Sequence, residues 1–383
     1  MQPRRSYALN FPISNQTKMN PHVRHILIIN LFSPLLLYAQ GEQNILMVNK
    51  PPRGGTNRAL DFSSGSPVLI SGMPLAASNA VCNATGQPLF YTDGTTVFNR
   101  NYQPMPNGNN LGHVPSNGPG YSMPPIIVML PGLGRRYAVF TQRNGGLHYS
   151  LVDMHANNGL GDVITQYKNI TLNSFAGRAG ITMNAKAVAI QGCKSSWLVY
   201  RSRYVKEFRA FEVTGAGVKP DPVISEVGLL PVGDYEGHLY QGVLKASPDG
   251  KKLAIVAKGA IELFDFEKCS GRVSNPTLLT DDGDYYYGVC FSPDNSKLYA
   301  TTYEWPYAGR IYQFNLSLPT TAAITASKTH VFTNPTYWRP NPIGPWISVV
   351  DELGDLKIGP DGKIYAGNCY NQSVSCYVGP SFQ

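Results

Sequence analysis

Residues 246–257 read ASPDGKKLAIVA, residues 291–301 read FSPDNSKLYAT, and residues 358–366 read IGPDGKIYA. Proline presets φ for a turn, and Asp-Gly or Asp-Asn takes the positions that follow. The flanks are β-rich, as in Tyr287-Gly-Val-Cys-Phe before the second turn and Leu298-Tyr-Ala-Thr-Thr after it. Each copy therefore predicts a strand–turn–strand hairpin. Pro248 and Pro293 lie 45 residues apart, and Pro360 lies 67 further on. The longer step equals one repeat plus an insertion of 22 residues, which the Pro-rich stretch 333–346 accommodates. A weaker copy, NATGQPLFYTDG, occupies 83–94.

A second strand pair follows each hairpin, for example Ile261–Phe266 and then Pro276–Leu279. Four short strands in about 45 residues is the period of a propeller blade. A lone hairpin buries too little apolar surface, so such units must stack around an axis. The same pattern is found over 79–101, 126–172 and 182–229, and a partial unit of about three strands over 354–379. The expected fold is all-β, a β-propeller of four-stranded blades. Residues 60–71 are expected to close the ring by completing the last blade at 355–379, because closure removes an exposed sheet edge. Counting strands gives six blades; dividing the length from residue 60 by the period gives seven. The strand count is preferred.

Composition agrees. Gly (38) and Pro (30) exceed the average share of roughly 12 %, Tyr reaches 23, and charged residues are only 15 %. That excludes coiled coils and helical bundles, while 43 % hydrophobic residues excludes general disorder. The formal charge is +8, but residues 1–39 hold four basic residues and no acid, which leaves +4 for the rest. No Lys/Arg run remains to track a phosphate backbone, so no nucleic-acid partner is expected.

Residues 1–39 read as a secretory signal. A 12-residue, largely apolar stretch, Ile26–Leu37, follows Arg24, and Leu37-Tyr38-Ala39 precedes Gln40. The stretch is too short to span a bilayer, and no later run is long enough, so no integral segment is expected after cleavage. Met19 gives a signal of ordinary length, which would make 1–18 a mis-assigned start. Residues 40–59 read as a polar linker and 60–383 as the propeller. Six cysteines follow the signal, and six allow 15 pairings in an oxidising compartment. Cys369 and Cys376 are a candidate disulfide: with Gln372-Ser373 as a two-residue turn they lie opposite one another, at a hydrogen-bonded pair. Cys290 sits in an apolar run and reads as a small core residue.

The stretches LDFSSGSPV (60–68), NATGQPLFYTDGTTVFNRNYQPMPNG (83–108), LHYSLVDMHANNGLGDV (147–163), LKASPDGKKLAI (244–255) and IELFDFEKCSGRVSNP (261–276) together resemble one family. It is the N-terminal propeller region of large secreted surface proteins that carry a type IX secretion sorting domain or a gliding-motility-type C-terminal domain. The resemblance implies an exported propeller with no assigned catalytic residues. The downstream sorting domain of that family is not in this sequence, which ends at Gln383.

No GxSxG, HExxH, Walker A or GxGxxG motif is present. The histidines are scattered, no CxxC supports zinc, and Asp281-Asp282-Gly283-Asp284 offers too few oxygens for calcium, reading instead as a turn between units. No cofactor, metal site or catalytic residue is assigned. Three of the four tryptophans fall in two apparent loops, as Tyr303-Glu-Trp305-Pro-Tyr307 and as Tyr337-Trp338-Arg339 with Trp346. Rigid aromatics are typical binding anchors. Trp305, Tyr307, Tyr337, Trp338 and Trp346 are therefore the candidate ligand-binding residues, with mutual packing of the loops as the alternative. Because both loops follow even-numbered strands, they should emerge on one face.

The function expected is a non-enzymatic, monomeric, secreted, periplasmic or cell-surface binding module for a protein, peptide or glycan. The alternative is a lactonase-like propeller hydrolase with a dispersed site in its channel. Amino-terminal sequencing of exported chain should begin within a few residues of Gln40; a mature chain retaining Met19 would contradict the signal.

Overall fold

The computed structural model describes residues 45–48, 57–65, 67–73, 79–83, 85–112, 124–132, 134–143, 146–172, 185–201, 205–230, 242–257, 259–302, 309–334, 336–341, 344–350, 352–369 and 376–382. The chain is all-β with several antiparallel sheets, which follow one another in sequence order. The first holds β1 Ile45–Val48, β2 Asn57–Asp61 and β3 Val68–Met73; the second holds β4 Asn79–Cys82, β5 Pro88–Thr92 and β6 Val97–Asn99. The third holds β7 Ile126–Met129, β8 Arg136–Arg143 and β9 Gly146–Asp153, with β10 Asp162–Val163 and β11 Ile170–Thr171 both on β9. The fourth holds β12 Lys186–Gln191, β13 Ser196–Arg201 and β14 Phe208–Thr214, with β15 Gly217–Val218 and β16 Val223–Ser225 both on β14. The fifth is β17 Leu244–Ala246, β18 Lys252–Ala257, β19 Ala260–Glu267 and β20 Arg272–Thr280. The sixth is β21 Tyr286–Phe291, β22 Lys297–Thr302, β23 Arg310–Asn315 and β24 Thr329–Thr333, with a one-turn helix α1, Thr321–Ala326, before its last strand. A hairpin, β25 Thr336–Asn341 and β26 Gly344–Val350, then precedes the last sheet of β27 Glu352–Ile358, β28 Ile364–Cys369 and β29 Cys376–Phe382.

The repeated turns explain their own sequence. Ser247 Oγ donates to Asp249 Oδ1 at 2.6 Å, and that carboxylate accepts the Lys251 amide at 3.1 Å. The next copy repeats this, with Ser292 Oγ donating to Asp294 Oδ1 at 2.5 Å and the Ser296 amide at 3.1 Å. In all three copies the residue after Asp has left-handed backbone: Gly250 at φ 70°, Asn295 at 64° and Gly362 at 75°. Only Gly, Asn or Asp adopts that region readily, which is why the motif is Pro-Asp-Gly/Asn.

Packing between sheets also follows chain order. Ala59, Cys82 and Tyr91 join the first sheet to the second, and Phe90 and Val139 join the second to the third. Phe140 and Phe211 bind the third to the fourth, Phe208 and Phe264 the fourth to the fifth, and Ile261 and Phe314 the fifth to the sixth. Cys290 and Leu356 join the sixth to the last, confirming Cys290 as a small core residue. Phe62 of the first sheet then packs edge-on against Tyr365 of the last, ring centroids 5.5 Å apart, and β1 approaches β29. The first strands of neighbouring sheets, β4 and β7, β7 and β12, β12 and β17, β17 and β21, β21 and β27, approach one another. The sheets therefore converge on their first strands and fan outward from them.

Three expectations are corrected. Residues 60–71 do not complete the last unit; β2 and β3 pair with β1 in a sheet of their own. Residues 40–59 are not wholly a linker, since they supply β1 and the start of β2, and Ile45-Leu-Met-Val is an apolar run that can sit in a sheet. The Pro-rich stretch 333–346 is not a loop: Tyr337 and Trp338 lie on β25 and Trp346 on β26. Cys369 and Cys376 do face each other in register, as the spacing predicts.

A disulfide absent from the sequence expectations joins Cys193 to Cys269, with Cα atoms 5.0 Å apart. It links the β12–β13 turn of the fourth sheet to the β19–β20 turn of the fifth. Trp197 Nε1 reinforces the joint by donating to the Lys268 carbonyl at 2.8 Å. The bond closes a sequence separation of 76 residues. Loop-closure entropy puts its contribution at about 4 kcal/mol. A Cys193→Ser/Cys269→Ser variant should therefore unfold at clearly lower urea concentration than the parent chain; an unchanged midpoint would show that the bond stabilises nothing.

Candidate functional site

The register of the sheets sorts their ends. Lys186 at the start of β12 pairs with Arg201, which pairs with Phe208, which pairs with Ser225. Tyr286 at the start of β21 pairs with Thr302, and Arg310 pairs with Thr333, while the Arg310 amide donates to Thr302 Oγ1 at 3.1 Å. The connections 303–308 and 334–351 therefore leave the sixth sheet at one end, the end where first strands begin. The Asn334 amide bonds to the Gly309 carbonyl at 2.8 Å across the gap. The repeated turns and the Cys193–Cys269 bond occupy the opposite end.

Along the first strands, from the start of β12 to the residues just ahead of the repeated turns in β17 and β27, lies a group of charged side chains that the motifs did not single out. Lys245 Nζ donates to Asp355 Oδ2 at 2.5 Å. This bond joins β17 to β27, two sheets apart, so it spans the inner side of the intervening sixth sheet. Lys186, 8 % exposed, donates to the Gly242 carbonyl at 2.7 Å. Lys357 is crowded by protein on every side yet reached by solvent, and lies near enough to Lys245 and Asp355 to feel both charges. Behind Lys186, Arg201 and Glu262 form an ion pair at 3.5 Å with side chains 5 % and 0 % exposed. Glu262 also accepts the Leu229 amide, and the guanidinium lies 4.9 Å from the Phe208 ring centroid. Gly228, at φ 144°, makes room: a Cβ there would stand 2.6 Å from the guanidinium. Leaving either member of such a buried pair alone costs several kcal/mol, so the pair holds this end in one arrangement.

The electrostatics follow from crowding like charges with little water. Burial pulls the Lys186 ammonium down to about 7, Arg201 adds repulsion, and Asp355 opposes both. Desolvation and the charge of Lys245 bring Lys357 to about 8, again against Asp355. Cys290, beside the same pair, has its thiol pushed up to about 12 by burial. Four cations, Lys186, Arg201, Lys245 and Lys357, thus meet two anions, Asp355 and Glu262. The signal for this was in the repeat: LKASPDG (244–250), VCFSPDN (289–295) and LKIGPDG (356–362) place Lys245, Cys290 and Lys357 at one equivalent position on consecutive first strands.

Close approach of the last two sheets depends on Gly288. A Cβ there would lie 2.7 Å from the Gly354 carbonyl oxygen. Thr301 Oγ1 accepts the Gly288 amide at 2.9 Å and donates to that carbonyl at 2.7 Å, tying β21, β22 and β27 together.

Of the candidate ligand-binding residues, Trp305 and Tyr307 lie outside the described residues. Trp338 pairs with Ser348 and Tyr337 with Val349, and Trp346 lies two residues before Ser348 on β26. The 281–284 segment is a turn, as expected, and its carboxylates serve a cation of the chain itself. Lys328 Nζ donates to Asp282 at 2.7 Å and Asp284 at 2.6 Å, 4.1 Å from the Tyr312 ring centroid. Partial burial works against that charge, but the two carboxylates outweigh it and hold the ammonium above its usual range. Among the described residues no group of three or more His, Cys, Asp or Glu could hold a metal ion, and no helix is long and apolar enough to cross a membrane. His155 pairs with Asp153 on an exposed turn, His330 with Thr333, and His148 lies apart on β9; His113 and His238 are outside the described residues.

No family model and no curated protein matches this chain. Among solved structures it is similar to a putative 6-phosphogluconolactonase from Bacteroides fragilis, at 12 % identity over 89 % of this chain and 94 % of that one, with a TM-score of 0.45. It is also similar to the Cps50 (Swd1) β-propeller domain of Myceliophteria thermophila, at 10 % identity over 88 % and 97 % of the two chains, TM-score 0.42. Hsv2p of Kluyveromyces lactis matches at 12 % identity over 90 % and 95 %, TM-score 0.42. At these values the likenesses bring no activity or ligand with them.

The buried lysine makes stability depend on pH. Lys186 titrates near 7 when folded and near 10.4 when unfolded. Between those values the unfolded chain holds a proton that the folded chain lacks, so stability rises with pH across the window. Lys357 acts in the same direction. The urea midpoint should increase from pH 7 to pH 9, and the increase should shrink in Lys186→Met. An equal rise in that variant would place the titration elsewhere.

Proposed function

We propose that this chain is an exported, non-enzymatic binding module whose sheets are the blades of a β-propeller. On this reading there are seven blades, with the β25–β26 hairpin inserted between the last two and the first sheet closing the ring through Phe62 against Tyr365. The ligand is a protein, peptide or glycan, bound where the first strands begin. One observation carries the choice of face: the two aromatic excursions leave the sixth sheet at the same end at which Lys186 and the buried Arg201–Glu262 pair stand. Rigid aromatics around a polar centre give contact area together with orientation. The Cys193–Cys269 bond supports export, because disulfides persist in oxidising compartments, and it agrees with the signal-like start. The resemblance to the propeller region of type IX-sorted surface proteins points the same way.

The test is binding of the mature chain to a glycan array and to a library of extended peptides, compared with a Trp305→Ala/Trp338→Ala variant. A saturable binder should emerge, and each lost anchor should cost roughly 2 kcal/mol of affinity while the melting curve is unchanged. A folded double variant that binds as well as its parent would refute this face, and one that unfolds would assign the tryptophans to packing.

A further inference from the structure

We propose that the first strands of the fifth and last sheets, through Lys245 and Lys357 just ahead of their repeated turns, form with Lys186 of the fourth a receptor for a compact oxyanion, a carboxylate or phosphate group carried by the ligand. The inference deepens the reading above and rests on the ligand reaching the inner side of the first strands from the proposed face.

Lys245 and Lys357 hold one equivalent position in LKASPDG and LKIGPDG, so the ring presents two ammoniums at the same level from sheets on either side of the sixth. Between them the sixth sheet offers Cys290 at that position, small and buried, and Gly288 two residues earlier. Asp355 answers one ammonium, that of Lys245, directly. Lys357 remains open to solvent and repelled by Lys245. Lys186 adds a third ammonium, anchored on the Gly242 carbonyl. Its neighbour Arg201 is already committed to Glu262, which keeps a fourth positive charge nearby without leaving it available for contact.

A site with this balance keeps a net positive charge that burial makes costly. A ligand oxyanion would remove the cost by supplying the missing negative charge in a place of low hydration, where charge-assisted hydrogen bonds are strongest. It would also favour the ammonium forms of Lys186 and Lys357, whose protonation is weakened by the same crowding, so that binding above neutral pH draws protons from solution. The groups taking part are Lys186, Lys245, Lys357 and Asp355, with Arg201, Glu262 and Cys290 as their fixed surroundings.

Citrate and inorganic phosphate serve as probes, titrated calorimetrically into the full mature chain at pH 8 and low ionic strength, in two buffers of different ionisation enthalpy. At least one probe should bind with net proton uptake, and the tighter of the two identifies carboxylate or phosphate as the natural group. Lys357→Met should weaken that binding ten-fold or more and reduce the proton uptake, while Lys357→Arg should keep affinity within about three-fold. Lys357→Arg should leave the melting curve unchanged, and Lys357→Met, which removes a repelled charge, should melt no lower than the parent. Absence of binding by both probes, or affinity unaffected by Lys357→Met, overturns the oxyanion receptor. If glycan or peptide binding persists through Trp305 and Trp338 in that case, only this inference fails; if that binding is absent too, the proposed face fails with it.

Discussion

Apolar stacking of each sheet on the next is the interaction on which everything else depends. No single sheet of three or four short strands buries enough surface to be stable alone, because each exposes two faces. The chain solves this by giving every sheet aromatic or branched residues toward both neighbours. Phe140 and Phe211 meet at one joint, Phe208 and Phe264 at the next, whose rings stand 4.7 Å apart. A linear stack would leave its first and last sheets half-covered. Packing of Phe62 against Tyr365 removes that loss, and the cystine between the fourth and fifth sheets fastens one joint covalently.

The hairpins at 246–257, 291–301 and 358–366 were legible because turn chemistry is local: Pro fixes one torsion, Asp caps the turn, and Gly or Asn takes the left-handed position. The units over 126–172 and 182–229 were legible for the same reason, through strand-forming runs of the right length. What failed was pairing at a distance. Residues 60–71 have the pattern of a strand, but the pattern does not say which edge they join, and the short apolar run at 45–48 supplied a nearer partner. Likewise the spacing of six cysteines could not select Cys193 with Cys269, since the two turns meet only once the sheets stack.

The charged site illustrates the same divide. Lys245 and Lys357 were visible as repeated residues, yet their meaning depends on the ring, which brings equivalent positions of successive units together. Asp355, which sits in no turn motif, gained significance only from its bond to Lys245. The aromatic residues were easier to notice and harder to interpret. Trp338 and Trp346 proved to be strand residues of a hairpin, so backbone pairing with the facing strand positions them.

Ring architecture and the proposed ligand face stand together, because the charges converge only if the sheets close in the order described. An experimentally phased crystal structure of the mature chain tests this most directly. The account predicts β2 and β3 hydrogen-bonded to β1, Phe62 against Tyr365, and Lys245 bonded to Asp355 across the inner side of the sixth sheet. Residues 57–73 found hydrogen-bonded to the edge of 376–382, with Lys245 and Asp355 apart, would contradict it.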